Sequence, residues 1–217
     1  MTRATSALRA PTPATVARVP DLPLDTVVVH RATWEDHDPW WFATRTHNPD
    51  PGRFDLEAPH GTCYFSDDPV GALIEKLAEP DELSPVVTVE TVRRLRVHSG
   101  RLRHPATVAD TTDHRSRLPK ELGVSTPYAL PWAWADALHA DGRGGVVAWV
   151  RFDPAASRGI AVFGPAGVAS GPDRPQGTAL DTVTPGAGHL DELRQVFDIV
   201  VEPIPLRAQV QIAAPPR

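Results

Sequence analysis

Apolar positions along this chain follow two rhythms, short runs that alternate or are β-branched and a few longer stretches with a helical repeat. Thr26-Val27-Val28-Val29-His30 is β-branched and predicts a strand, and Gly61 to Ser66 predicts a second. Asp67-Asp68-Pro69 then supplies an acidic cap and a proline suited to a first helical turn. Val70, Leu73, Ile74 and Leu77 follow at i, i+3, i+4 and i+7, which predicts an amphipathic helix ended by Pro80. Val86 to Glu90, Leu95 to His98, Val146 to Phe152, Gly159 to Phe163, Phe197 to Val201 and Arg207 to Ile212 read as strands. Pro131 to Ala140 and His189 to Val196 read as helices, the first closed by Asp141-Gly142. Trp34 to His60 reads as a loop long for a compact domain, and such loops are often functional, while Ala166 to Gly188 reads as a long Gly/Pro loop. His104 to Val124 shows no clear period. The sum is an α+β fold: one domain, short strands in a mixed sheet, and a few packed helices. Residues 1–24, rich in Ala, Arg, Thr and Pro, are expected to form a flexible tail ahead of a domain over 25–213.

Composition narrows the function classes. The 217 residues carry 41% hydrophobic and 23% charged side chains, ordinary for one globular domain. A formal net charge of -5 without a basic cluster argues against nucleic acid as a partner. No apolar stretch is long enough to cross a membrane, and the N-terminus does not read as a secretory signal. Cys63 is the one cysteine, so no internal disulfide can form and a reducing, cytoplasmic setting is expected. Between Thr62 and Tyr64 it reads as a small buried hydrophobe rather than a nucleophile.

The usual chemical motifs are missing. The 9 histidines are scattered, and none pairs with another at i, i+4 on an expected helix, so no metal site is expected. Neither a P-loop nor a dinucleotide glycine fingerprint follows a strand, and there is no nucleophile elbow. What remains is a concentration of polar and aromatic residues in the first third. His30-Arg31 ends a strand, Trp40-Trp41-Phe42 and Arg45 follow, then Gly52-Arg53-Phe54-Asp55, then Gly61-Thr62-Cys63-Tyr64, then a helix carrying Glu75.

This order resembles the RES-domain family, over roughly Val28 to Phe163. A strand ending in arginine, a Gly-Arg-aromatic segment, a Gly-x-x-Tyr strand and a helix bearing glutamate look like Arg31, Gly52-Arg53-Phe54, Gly61 to Tyr64 and Ala72-Leu73-Ile74-Glu75. Ala133 to His139, Gly145-Val146-Val147 and Arg151 are similar to the family's second half. The resemblance implies a split, mixed sheet like that of ADP-ribosyltransferases, closing on NAD⁺. It implies cleavage of NAD⁺ by hydrolysis or by transfer to phosphate, and a role as the toxin of a pair with a small helical antitoxin. On that basis Glu75, Tyr64 and Arg31 are the expected catalytic residues. Arg31, Arg53, Tyr64 and Arg151 are the expected NAD⁺-binding residues. One position departs from the pattern: Val150 of Ala148-Trp149-Val150-Arg151 stands where the family has its serine. Either the alignment slips there, another group such as Arg151 or Ser125 compensates, or activity is weakened.

Other readings stay open at the level of sequence. Without turnover, the chain would be a RES-like module that binds a nucleotide or a protein. With a macromolecular acceptor, it would be an ADP-ribosyltransferase. Glu75 could be merely solvated, Tyr64 packing, Arg31 paired with Glu35, Asp36 or Asp38, and Arg53 paired with Asp50 or Asp55 at the surface. Trp40 and Trp41 fit a core, a cleft wall or a partner surface equally well. Oligomeric state, including a homo-oligomer, is open.

Overall fold

The computed structural model describes residues 8–46, 48–77, 86–103, 107–124, 127–153, 157–168 and 180–202. Its strands are β1 (Asp21–Pro23), β2 (Val28–Trp34), β3 (Trp41–Phe42), β4 (His60–Ser66), β5 (Val86–Thr88), β6 (Leu95–Arg101), β7 (Thr107–Asp110), β8 (Gly145–Trp149), β9 (Arg158–Pro165), β10 (Gly167–Val168), β11 (Asp181–Val183) and β12 (Val200–Glu202). The helices are α1 (Pro13–Val16), α2 (Pro69–Leu77), α3 (Val89–Arg93), α4 (Glu121–Val124), α5 (Ala129–Ala140) and α6 (Ala187–Phe197). Among the described residues, eight strands form one sheet in the order β1-β7-β8-β9-β4-β2-β6-β11, and β10-β3 and β12-β5 form small pairs. Within the large sheet β7 and β8 run parallel and the other neighbours antiparallel, so the α+β fold with a mixed sheet stands as expected.

The sheet is forked. β4 pairs with β9 along its whole length, from His60 opposite Pro165 to Ser66 opposite Gly159. β2 pairs with β6 in the same way, from Val28 opposite Arg101 to Trp34 opposite Leu95. Between β2 and β4, however, the register holds at one point, His30 opposite Ser66. Beyond it the strands splay, and Arg31 and Phe65 are the first residues past the fork.

Two apolar clusters each cover one arm, and a third, with Val29 of β2, Cys63 of β4, Val147 of β8 and Ile160 of β9, spans both. Trp134, Ala135 and Leu138 of α5 pack with Val146, Ala148 and Ala161 on one arm. Val70, Leu73 and Ile74 of α2 pack with Ala32, Leu95 and Val97 on the other, joined by Leu193 of α6. Helix α2 starts where the sequence predicts: Asp68 Oδ2 accepts from Gly71 N at 2.6 Å, and Asp68 N donates to Ser66 Oγ at 3.2 Å. A side chain at Gly71 would come within 2.7 Å of Ser66 Oγ, so glycine is what lets α2 sit this close to β4.

Several boundaries differ from the sequence reading. Residues 8–24 are not a free tail. Thr12 caps α1, Val16 and Val19 are buried, and Trp134 Nε1 donates to Arg9 O at 2.9 Å. Val86 to Glu90 is not one strand: Thr88 Oγ1 accepts from Thr91 N at 3.1 Å and turns the chain into α3. The strand expected from Thr26 begins at Val28 and runs on to Trp34. The strand expected to reach Phe152 ends at Trp149. Phe197 closes α6 rather than opening a strand, because Asp198 takes the left-handed conformation that caps the helix. The strand expected over Arg207 to Ile212 lies outside the described residues.

Candidate active site

The fork opens into a cleft of about 990 Å³. Arg31, Arg53, Tyr64, Glu75 and Arg151 all line it. Each reaches it from a different element: β2, the 48–59 loop, β4, α2 and the turn after β8.

Arg31 spans the fork. Both its Nη atoms donate to Trp41 O at 3.3 Å, Nη1 also meets Cys63 Sγ, and the guanidinium lies 5.8 Å from the Phe65 ring centre. Glu35, one of the partners considered for it, pairs instead with Arg96 at 2.9 Å and Arg94 at 3.8 Å. Cys63 is fully buried, and burial pushes its thiol up to about 11 against the pull of the Arg31 charge. The thiolate is therefore scarce at neutral pH, in line with the reading of Cys63 as a buried hydrophobe.

Arg53 sits at the top of a turn with its guanidinium 5.5 Å from the Tyr128 ring centre. Its Nε is buried and has no hydrogen-bond partner among the described residues. Asp55 is no surface partner for it. That carboxylate is wholly buried, taking Tyr64 Oη at 2.7 Å on one oxygen and Gly52 N at 2.8 Å on the other. Burial raises the Asp55 pKa, although the two hydrogen bonds pull it down. The Tyr64 phenol is pushed well above its ordinary value, by burial first and then by the Asp55 carboxylate. It stays protonated, donates to Asp55 and accepts from Phe54 N at 2.9 Å. Tyr64 thus has its hydroxyl committed to the protein and leaves only its ring for a ligand.

Glu75 is on the exposed side of α2, where its neighbours Leu73 and Ile74 turn to the core. Its Oε1 accepts from Arg151 N at 3.5 Å, a long contact that puts the carboxylate beside the turn after β8. The Arg151 guanidinium lies 4.9 Å from the Phe152 ring centre. Val150 is 3% exposed and its N–H donates to Ser157 O at 3.0 Å, so an apolar group fills the expected serine position. Ser125 lies outside the described residues. Trp40 is core and Trp41 is 52% exposed at the cleft edge, which separates two tryptophans the sequence left equivalent.

Lys76, Tyr128 and Trp149 also line the cleft and were not foreseen. Lys76 lies 5.2 Å from the Trp34 ring centre, and burial, then the nearby Arg31 charge, lowers its pKa. Lys76 follows Glu75 in sequence, but nothing in its spacing distinguishes it from a solvated helix lysine. Trp132 braces the site from behind, its Nε1 donating to Gly52 O at 2.9 Å.

The cleft therefore brings guanidinium groups and aromatic faces together with the carboxylates of Asp36, Asp38, Asp50 and Glu75. Such a set can hold phosphate oxygens, stack a ring and stabilise positive charge. Among the described residues, no group of three or more His, Cys, Asp or Glu is placed to hold a metal ion.

No curated protein matches the sequence. Among solved structures, the fold is similar to a chain of the crystal structure of the M. tuberculosis MbcT–MbcA toxin–antitoxin complex. The TM-score is 0.57 at 15% identity, covering 84% of this chain and 98% of that one. The RES domain model matches residues 23–181, most of the chain and every element that lines the cleft, and the chain therefore belongs to the RES-domain family.

Proposed function

We propose that the cleft binds NAD⁺ and breaks its N-glycosidic bond, releasing nicotinamide and passing ADP-ribose to water or phosphate. The observation that carries this reading is the Arg53 guanidinium brought into one cleft with the Tyr64 ring and the Glu75 carboxylate. A guanidinium fork matches phosphate oxygens, and its charge-assisted hydrogen bonds are roughly twice as strong as neutral ones. Arg31 and Arg151 add guanidinium groups to the same cleft. Its volume is at the top of the range of roughly 300–1,000 Å³ for small-molecule sites, as a dinucleotide requires.

The chemistry asks little beyond this. Bond cleavage puts positive charge on the ribose, and the Glu75 carboxylate stabilises it and holds the sugar hydroxyls. The Tyr64 ring offers its face to the cationic nicotinamide. Nicotinamide departs neutral, so no strong general acid is needed. Family membership and the toxin–antitoxin origin of the similar structure support a toxin that consumes cytoplasmic NAD⁺, restrained by a small antitoxin. No helix among the described residues is long and apolar enough to cross a membrane.

Following nicotinamide release from NAD⁺ by the purified protein tests the reading. Wild-type turnover no faster than that of Glu75→Ala would defeat it. Val150 favours one other reading, a RES-like module that binds without turnover, because valine cannot hydrogen-bond a phosphate or ribose. Calorimetric binding of NAD⁺ with no product would decide for that module.

A further inference from the structure

Arg53 is presented by a turn in which every flanking backbone group is tied. Gly52 N donates to Asp55 Oδ2 at 2.8 Å, and Gly52 O accepts from Trp132 Nε1 at 2.9 Å. Phe54 N donates to Tyr64 Oη at 2.9 Å, and Phe54 O accepts from Thr62 Oγ1 at 2.9 Å. The two N–H bonds meet at Asp55, because Tyr64 Oη in turn donates to Asp55 Oδ1 at 2.7 Å. Gly52 has no room for a side chain, since a Cβ there would come within 2.6 Å of Tyr64 Oη. The backbone of Asp55 itself is held as well: Arg45 Nη1 donates to Asp55 O at 3.1 Å while its other nitrogens pair with Glu57 at 2.8 Å and Asp136 of α5 at 2.7 Å.

A fully buried carboxylate is a costly way to fix a turn unless both of its oxygens are needed as acceptors. Here both are used, one for each side of Arg53. We infer that Asp55 is a positioning residue that acts through Tyr64 Oη and Gly52 N to hold the Arg53 guanidinium in the cleft, toward the diphosphate of the bound nucleotide. The inference rests on the dinucleotide reading. It assigns the Tyr64 hydroxyl to orientation, and it makes Asp55 a determinant of diphosphate affinity without touching the ligand.

ADP is a suitable probe, because it carries the diphosphate and has no nicotinamide to lose. Calorimetry on the full chain would compare Asp55→Ala, Asp55→Asn, Arg53→Ala and the Asp55→Ala/Arg53→Ala double variant. Asp55→Ala is expected to weaken ADP binding about tenfold, the usual scale for one charge-assisted contact. Asp55→Asn, whose amide has one acceptor oxygen, falls between it and the wild type. The double variant binds no more weakly than Arg53→Ala alone, because the effect runs through that side chain. Asp55→Asn keeps the test open should Asp55→Ala fail to fold. ADP affinity unchanged in Asp55→Asn, or a double variant weakened by the full product of the single effects, would overturn the positioning role. Wild-type protein with no affinity for ADP would instead overturn the dinucleotide reading beneath it.

Discussion

Tyr64 shows how a residue identified by its type can turn out to do a second job. From sequence it is a ring that could face nicotinamide. In the fold its hydroxyl joins Asp55 to Phe54 N. Tyr64→Phe keeps the ring and strands both partners in a buried setting. Unfolding in urea should show it less stable by about 1–3 kcal/mol, and an unchanged midpoint would mean that these bonds contribute nothing. Arg31, Arg53 and Glu75 were legible as candidates because their spacing and neighbours match the RES pattern. Asp55 was legible as a residue but not as a role. Burial and a partner nine positions along the chain leave no mark on local composition, and a carboxylate beside an arginine reads most simply as its surface partner.

At the scale of elements, α2 was the most readable part of the chain. Its apolar repeat and Asp-Asp-Pro start are local properties, and the helix begins and buries as they predict. Its closeness to β4 depends on Gly71. Gly71→Ala would force the new methyl against Ser66 Oγ and Ser157, which by analogy with other overpacked sites costs about 1–3 kcal/mol. Because Glu75 is one turn further along α2, turnover of NAD⁺ should fall as well. A Gly71→Ala protein with wild-type thermal midpoint and rate would show that α2 has room to spare. The elements that sequence missed were fixed by distant partners. Residues 8–24 lack any strong pattern, yet two buried valines and one bond from Trp134 dock them. The Val86 to Glu90 run has strand composition, but a threonine cap divides it. The fork between β2 and β4 is likewise a matter of pairing, which neither strand's own residues reveal.

For the molecule as a whole, the histidines set an acid limit. His30, His98 and His139 all have pKa values lowered from 6.5, in each case chiefly by burial. His98 has both ring nitrogens engaged, with Thr33 at 2.9 Å and Thr182 at 2.9 Å. A group whose folded pKa lies below its unfolded value binds protons more readily in the unfolded chain. Stability is then full above pH 6.5 and declines as pH falls from there toward the folded values. Asp55, with a raised pKa, has the opposite sign, acting above the ordinary carboxylate value of 3.8. Urea midpoints taken from about pH 7.5 to about pH 5.5 should therefore decrease, with proton uptake on unfolding. A midpoint that rises over this interval would contradict the burial of these rings.

A cleft between two arms of one sheet gathers Arg31, Arg53, Tyr64 and Glu75, and the proposed function has them cleave the N-glycosidic bond of NAD⁺. Proton NMR of NAD⁺ incubated with the full chain observes that bond directly. The nicotinamide riboside anomeric signal is expected to decay as free nicotinamide appears, and Glu75→Ala is expected to slow this by about 100-fold or more while keeping the wild-type thermal midpoint. NAD⁺ that stays intact with folded wild-type protein, or decays equally fast with Glu75→Ala, would contradict it.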